Sequence, residues 1–227
     1  MTGTLSVIGT PIGNLGDVTL RALETLKSAD VIACEDTRVT SKLLARYGIE
    51  KPLMRCDENK EDIAARRIQS LLVEGKHVAF VTDAGTPGIS DPGSRLISLI
   101  RANKRISTRI EVIPGPSALT AALSIAGVPS SDFLFLGFLP HKKGRQTLFK
   151  EIAAQKRTVV FYESPHRILK ALDSLVGTLS DKRRVVICRE LTKLYETVVS
   201  GSAKEVAAHF AARPDEVRGE FVVVIAP

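Results

Sequence analysis

The chain has no tryptophan, three tyrosines, three cysteines and four histidines among its 227 residues. Each shortage removes a class of function. Aromatic residues amount to 5%, which leaves no evident platform on which successive nucleotides would stack as they do on single-strand-binding proteins. Cys34, Cys56 and Cys188 are odd in number, widely spaced and form no CxxC pair. That pattern suits reduced thiols in a cytoplasmic protein rather than a disulfide framework. His77, His141, His166 and His209 are scattered without ligand spacing, so no metal is expected. No apolar run is long enough to span a bilayer. The opening MTGTLSVIG lacks the basic leader and apolar core of a secretory signal.

What remains is an ordinary globular composition, 44% hydrophobic and 25% charged, long enough for one large domain or two modest ones. The net charge of +7 is uneven: residues 127–227 hold 16 Lys and Arg against 11 Asp and Glu, whereas the rest is nearly balanced. Basic clusters stand at His141–Arg145, Lys156-Arg157 and Lys182–Arg184. Such clusters permit a phosphate-bearing partner; a solvated surface is the plainer reading.

Three glycine- and proline-rich elbows dominate the pattern: Val7–Asp17 (VIGTPIGNLGD), Ala79–Gly93 (AFVTDAGTPGISDPG) and Glu111–Ala118 (EVIPGPSA). Each leaves an apolar, strand-like run. Glycine allows sharp turns and close approach to a ligand, and proline fixes the turn's shape. Three elbows at strand exits predict a ligand cradle lined by backbone, at the carboxyl ends of a parallel sheet. The first elbow is neither a dinucleotide fingerprint nor a Walker loop, since Pro11 stands where a glycine is needed and no Gly-Lys-Ser/Thr follows. Gly115-Pro116-Ser117-Ala118 resembles a hydrolase elbow only loosely.

Strand and helix signals alternate along the whole length. Strands are predicted at 5–9, 31–34, 78–81, 110–113, 133–138, 158–162, 183–188 and 220–225. Helices are predicted after an Asp17 cap, with Leu20, Leu23 and Leu26 on one side, and at 37–47, 94–102, 117–126 and 147–154. A further helix at 61–74 turns Ile63, Ile68, Leu71 and Leu72 inward. Ser164-Pro165 reads as a helix start, and Ser202 to Glu205 as a capping box. Gly127–Asp132 is the best linker candidate. The expectation is therefore α/β, with domains 1–126 and 127–227, the elbows in the first and the basic surplus in the second.

The ordered set GTPIGNLGD, CEDTR (Cys34–Arg38), DAGTPGISDPG, IPGPSA, GFLPHKKG (Gly137–Gly144), FYESPHR (Phe161–Arg167), RELTK (Arg189–Lys193) and GEFVVVI (Gly219–Ile225) resembles the bacterial small-subunit ribosomal RNA methyltransferase I family. These are 2′-O-ribose methyltransferases with the tetrapyrrole methylase fold. The resemblance runs from about Thr4 to Ile225. It implies two successive α/β domains with S-adenosyl-L-methionine in the cleft between them. It also implies a homodimer and methyl transfer to the ribose 2′-hydroxyl of a cytidine in the decoding region of 16S rRNA, within the 30S subunit. By motif it implies cofactor contacts from Pro11, Ile12, Gly13, Asp83, Gly85, Thr86, Ser117, Ala118, Tyr162 and the strand end at Phe221. The chain departs from the family pattern at Cys56–Asn59 and after RELTK, where histidines are replaced, and in lacking the usual extension beyond the last strand.

Methyl transfer from a sulfonium needs position above all, and a base or a nearby charge to activate the hydroxyl. Candidates are Glu163 and Lys193, ahead of Glu35, Asp36, His166 and Glu190. Against catalysis stands the reading that Glu35, Glu163 and Glu190 pair structurally with Arg38, Arg167 and Arg189. Arg38, Lys142, Lys143, Arg145 and Arg167 are the expected phosphate contacts, and His141 or Tyr162 could stack. Two alternatives remain open: a methyltransferase of porphyrin- or corrin-like small molecules, and a non-catalytic ligand-binding module.

Overall fold

A computed structural model describes residues 3–57, 61–103 and 108–227. Glu58 and Asn59 of the departing Cys56–Asn59 stretch fall outside them. The chain divides into two compact units, Met1–Ser117 and Ala118–Pro227.

The first unit is a sheet with helices on both faces. Its strands are β1 (Gly3–Ile8), β2 (Val31–Cys34), β3 (Leu53–Arg55), β4 (His77–Val81) and β5 (Thr108–Ile113). All pair in parallel, in the order β3-β2-β4-β1-β5. The helices are α1 (Leu20–Ser28), α2 (Thr37–Arg46), α3 (Glu61–Val73) and α4 (Ser94–Ala102). β4 shows why both faces are covered. Its Val78 and Phe80 pack with Ile68 and Leu72 of α3 and Leu96 and Ile100 of α4. Its alternate residues, Ala79 and Val81, pack with Leu26 of α1 and Leu44 of α2. A strand buried on both sides must be apolar throughout, which is why it reads as an unbroken run. Phe80 alone, fully buried, contributes about 2–3 kcal/mol of transfer free energy.

The second unit contains α5 (Ala118–Ala126), β6 (Phe133–Phe138), α6 (Arg145–Ala154), β7 (Thr158–Glu163), α7 (Ile168–Val176), β8 (Arg184–Arg189), β9 (Thr197–Ser202), α8 (Ala203–Ala212) and β10 (Phe221–Ile225). Its sheet is mixed, in the order β6-β7-β10-β8-β9, with β6 and β7 parallel and the other pairs antiparallel. Phe149, Phe161, Leu172, Phe210 and Phe221 centre its core. The division lies before α5 and not at the Gly127–Asp132 turn. The Cys188 thiol of β8 points at the Ala122 carbonyl of α5, 3.9 Å away, within the second unit.

Several local expectations fail for identifiable reasons. α1 is capped by Thr19, whose Oγ1 accepts from Ala22 N at 3.1 Å; Asp17 ends a preceding 3-10 turn, and Leu20 is exposed. In α3 the small residues Ala64 and Ala65 face the core and Ile63 faces solvent. The Ser164–Arg167 segment is a turn, with Ser164 O accepting from Arg167 N and Ile168 N at 3.0 Å, so α7 begins at Ile168. The short edge strands β3 and β9 escape the sequence reading, since neither Leu53–Arg55 nor Thr197–Ser202 is buried enough to carry an apolar pattern. The capping box holds as expected: Ser202 Oγ accepts from Glu205 N at 3.3 Å, and Ser202 N donates to Glu205 Oε2 at 2.8 Å.

Candidate functional site

Because its five strands are parallel, the first unit sends every strand-exit loop to one end. There the three elbows are bound to one another. Thr10 and Gly85 form a two-residue antiparallel bridge, Thr10 N donating to Gly85 O at 2.9 Å and Gly85 N to Thr10 O at 3.1 Å. Thr10 Oγ1 also donates to Thr82 O at 3.2 Å. Gly9 N donates to Ile113 O at 3.0 Å, bringing the first elbow against the third. Thr86 Oγ1 donates to Pro116 O at 3.3 Å, closing the second against the third. Gly85 has φ +79°, a left-handed conformation suited to glycine, and a Cβ there would meet Ile12 at 3.4 Å. Pro11 and Ile12 are buried beside this knot, and Gly13 is exposed.

Asp83 and the CEDTR segment extend the knot. Asp83 Oδ1 accepts from Asp36 N at 3.0 Å. Burial pushes the Asp83 carboxyl above its ordinary pKa; that hydrogen bond opposes the shift and the nearby Asp36 charge adds to it. Asp36 caps α2 through Arg38 N at 2.8 Å, and the Arg38 guanidinium holds the same carboxylate through Nε and Nη2. The Arg38 hydrogen bonds hold Asp36 well below the usual carboxylate range. Arg38 is thus latched to Asp36, and its side chain stays largely in solvent.

In the second unit the register places four motifs at one end of the sheet. Glu163 of β7 lies opposite Phe221 of β10, which lies opposite Arg189 of β8, while Phe138 of β6 pairs with Tyr162. The loops bearing His141–Gly144, Ser164–Arg167, Glu190–Glu196 and Gly219-Glu220 therefore emerge together. Glu163 is sealed among them. Its Oε2 pairs with Arg145 Nη2 at 2.7 Å, its Oε1 with Arg167 Nε at 2.8 Å, and Oε1 also accepts from Ser164 N at 2.9 Å. The Arg145 and Arg167 guanidiniums reach further carbonyls, Pro140 O at 3.1 Å and Leu139 O at 2.9 Å. This buried cluster ties α6, β7 and the β6 exit loop into one body.

The RELTK segment is braced as closely. Lys193 Nζ donates to Glu190 Oε1 at 2.8 Å and Glu220 Oε2 at 2.7 Å. Burial works against the ammonium, yet these two carboxylates overcome it and its pKa is raised. Lys193 is therefore held as a cation between two carboxylates. Glu190, partly buried, is nonetheless held ionised by Lys193 and by Glu220 N, its pKa lowered. Arg189 does not pair with Glu190: its Nε donates to Arg218 O at 2.8 Å and its Nη1 to Tyr195 O at 3.1 Å.

Three further sequence expectations change on this geometry. Arg145 and Arg167, expected at phosphate, face inward and pair with Glu163. Phe221 packs in the core against Phe210, with ring centroids 5.8 Å apart, and offers a ligand no more than its backbone. Glu163 has both oxygens occupied, by two guanidiniums and an amide. Tyr162 sits on the other face of the sheet, edge-on to Phe135 and Phe138 at 5.0 and 5.4 Å. Lys142, Lys143, His141 and His166 are exposed. Thr10 and Glu61 were not singled out in the sequence. Yet Glu61 Oε1, buried, accepts from Gly93 N at 2.6 Å and closes the second elbow's far end. Only a fold can show that a helix-start glutamate reaches a loop thirty-two positions on.

Among the described residues no group of three or more His, Cys, Asp or Glu is placed to hold a metal, and no helix is long and apolar enough to cross a membrane. All three cysteines are free and buried, and burial pushes Cys56 up to about 12 and Cys188 to about 11.

A parallel sheet with interlocked glycine elbows, followed by a mixed sheet, defines a two-unit α/β protein with a backbone-lined loop cluster. The chain belongs to the tetrapyrrole (corrin/porphyrin) methylase family, which residues 4–207 match. It is 44% identical over 224 residues, 98% of this chain and 81% of the relative, to the ribosomal RNA small subunit methyltransferase I of Xylella fastidiosa (strain Temecula1). To the protein of the same name from Thermotoga maritima (strain MSB8) it is 44% identical, covering 98% of both chains. The fold is shared with the crystal structure of the methyltransferase CobJ, TM-score 0.73 at 22% identity, covering 99% of this chain and 94% of that one. The protein is therefore an enzyme, an S-adenosylmethionine-dependent methyltransferase.

Proposed function

We propose that the chain methylates the ribose 2′-hydroxyl of a cytidine in the decoding region of 16S rRNA, presented in the 30S subunit, and that it works as a homodimer in the cytoplasm. One observation carries the donor half of this reading: three elbows far apart in sequence are bonded into a single knot at the carboxyl end of a parallel sheet. The substrate half is supported by relatives at 44% identity that bear the name ribosomal RNA small subunit methyltransferase I.

The knot fits S-adenosylmethionine. Gly9 and Gly115 approach within backbone contact, leaving main-chain groups and few side chains to meet a zwitterion. Asp83 adds one half-buried carboxylate suited to a cationic group. Pro11, Ile12, Gly13, Asp83, Gly85, Thr86, Ser117 and Ala118 would hold the cofactor. When bound, S-adenosylmethionine supplies a methyl group on a positively charged sulfur.

The chain's own task is then to position and to polarise. Aligning the 2′-oxygen on the sulfur–methyl axis makes the reaction effectively intramolecular. Lys193, fixed as a cation by Glu190 and Glu220, favours the alkoxide by charge and does not take the proton. Arg38, Lys142 and Lys143, all exposed, supply phosphate contacts. Such contacts fix register on RNA without reading sequence, and the 2′-hydroxyl itself separates RNA from DNA.

The test is transfer of labelled methyl to purified 30S subunits, followed by mass mapping of the modified nucleotide. Label on a cytidine ribose of the decoding region is expected. Label on a base would overturn the ribose assignment. Transfer to a tetrapyrrole and none to 30S would establish the small-molecule alternative, and cofactor binding without any transfer the non-catalytic one.

A further inference from the structure

Two of the basic clusters, Lys156-Arg157 and Lys182–Arg184, are drawn together by the sheet of the second unit. β10 lies between β7 and β8, and Val159 and Val185 both stand opposite its Ile225. Arg157 and Arg184, just ahead of those positions, therefore share one end of the sheet, two strand spacings or about 10 Å apart. Lys204 joins them, because Ser202 of β9 pairs with Arg184. Lys156, Arg157, Lys182, Arg184 and Lys204 are all exposed. Elsewhere cations such as Arg38, Arg95, Arg109 and Lys193 meet a carboxylate. Here, among the described residues, Lys156, Lys182, Arg183 and Arg184 form no ion pair. Arg184 is aimed by neutral groups, its Nε donating to Ser200 Oγ at 2.7 Å and its Nη1 to Gly127 O at 3.3 Å. Buried Arg183 donates to carbonyls, from Nε to Ala226 O at 2.8 Å and from Nη1 to Ile152 O and Ala153 O at 2.8 and 2.7 Å, and its Nη2 meets no acceptor. The end of α6 favours a cation at that place but leaves its charge unneutralised. The carboxylates at this end are engaged: Asp132 faces Arg157 at 3.5 Å, Asp181 holds Lys204 at 3.0 Å, and Glu205 accepts from Ser202 N at 2.8 Å. Cations outnumber carboxylates here even with Glu151 of α6 and Asp173 of α7 included.

We infer that this end of the second unit is a docking surface for RNA, which it grips by the phosphate backbone at a place separate from the Lys142-Lys143 loop. The inference rests on the reading of 16S rRNA as substrate. The exposed residues of segments 155–158 and 180–184 are all polar or charged. A bilayer surface would call for apolar side chains to bury beside the cations, and a protein partner for an apolar centre to the patch. Charge without an apolar anchor fits a partner bound through its phosphates, the sequence-independent part of nucleic-acid affinity. Lys142 and Lys143 emerge at the opposite end of the same sheet, one strand length or about 20 Å away. RNA that touches both ends must run the length of the sheet, or present two segments in a fixed arrangement. The assembled 30S subunit is such a target, whereas a short free strand meets one end alone.

The experiment compares the wild-type chain with Lys156→Glu/Lys182→Glu and with the neutral pair Lys156→Gln/Lys182→Gln. The control is Lys27→Glu/Lys170→Glu, which changes net charge as much as the first pair, at exposed positions on α1 and the first turn of α7. Affinity for purified 30S subunits is read by co-sedimentation over a range of salt. S-adenosylmethionine affinity by calorimetry, KM and kcat for 30S subunits, melting temperature and binding to phosphatidylserine vesicles complete the set. The Glu pair is expected to weaken 30S binding about 10- to 100-fold at about 0.1 M salt, as for two lost phosphate contacts, and to reduce the slope of log affinity on log salt by about two. KM should rise, with kcat, cofactor affinity and melting temperature unchanged. The Gln pair should act in the same direction with a smaller loss, and it carries the test if the Glu pair does not fold. Unchanged 30S affinity and slope in these pairs overturns the inference. An equal loss in Lys27→Glu/Lys170→Glu overturns it too, since net charge would then be the cause. Lost vesicle binding with 30S binding intact would assign the surface to anionic lipid headgroups instead. A wild-type chain that neither binds nor methylates 30S removes the functional reading and the inference together. A wild-type chain that does both, with the Glu and Gln pairs matching it, removes the inference alone.

Discussion

Gly9 and Gly115 touch backbone to backbone: a Cβ on Gly115 would lie 2.6 Å from Gly9 O, and one on Gly9 2.8 Å from Gly115 Cα. Neither main chain has a flexible side chain to yield, so a methyl at either position must part the first and third elbows. Gly115→Ala is expected to destabilise the protein by about 1–3 kcal/mol, the usual cost of overpacking. It should also lower S-adenosylmethionine affinity at least tenfold. Gly177→Ala is the control, since its nearest contact is 3.6 Å. Thermal melts and calorimetry decide the matter. Equal behaviour of the two variants would mean that the elbow contact is incidental to binding.

Asp83 provides a test through pH. Its folded pKa stands above the ordinary 3.8 because of burial. A raised carboxyl favours the folded state most when protonated. Its contribution is fully present below the unfolded value and is lost as pH rises through the folded one. Asp83→Asn keeps the acceptor for Asp36 N and removes the charge. The variant's melting temperature should therefore improve relative to wild type as pH rises from below 3.8 toward neutrality. A constant difference across that window would deny the buried charge. S-adenosylmethionine affinity at neutral pH should nevertheless fall, because the carboxylate proposed to meet the cationic ligand is gone.

The first unit was legible because its chemistry is local. Strands such as Val31–Cys34 declare themselves by apolar runs, and elbows by glycine and proline. The convergence of the elbows then followed from parallel pairing. What stayed hidden depends on partners distant in sequence. Nothing in FYESPHR shows that Glu163 meets Arg145 from eighteen positions upstream, nor that Arg145, inside a basic cluster, turns inward while Lys142 and Lys143 turn out. That the Phe221 ring turns into the core stayed hidden for a related reason. A strand alternates faces, and only the register opposite Glu163 shows which face it takes. β9 was missed because an edge strand of Thr, Val, Ser and Gly, half in solvent, carries little pattern.

Glu163 separates a structural carboxylate from a catalytic one. With Arg145 and Arg167 on either side, its removal strands one buried and one partly buried guanidinium. Glu163→Gln is expected to cost about 3–5 kcal/mol, as for a broken buried ion pair. Activity should be lost only in proportion to unfolding. Denaturant melts and kcat at a temperature where the variant is folded distinguish the two roles. A folded variant of wild-type stability whose kcat falls a thousandfold would restore Glu163 as a catalytic group.

Lys193 makes the opposite case, a charged group whose protonation is held constant. The carboxylates of Glu190 and Glu220 raise its pKa above the ordinary 10.5. Its contribution to stability is therefore present below that value and lost only as pH rises through the folded pKa. A lysine acting as base would have to lose its proton near neutrality, and kcat would climb with pH to a plateau set by that loss. The expected kcat profile instead shows no such climb assignable to Lys193 below pH 10.5. Lys193→Arg, which keeps the cation while changing its shape, should retain measurable activity. Lys193→Met should lose tenfold or more in kcat, and should also loosen the Glu190–Glu220 brace, visible as a lower melting temperature. The two effects are separated by Glu220→Gln, which removes one half of the brace and leaves the cation. If that variant matches Lys193→Met in kcat, Lys193 serves the loop alone; if it keeps its rate, the ammonium acts on the reacting hydroxyl.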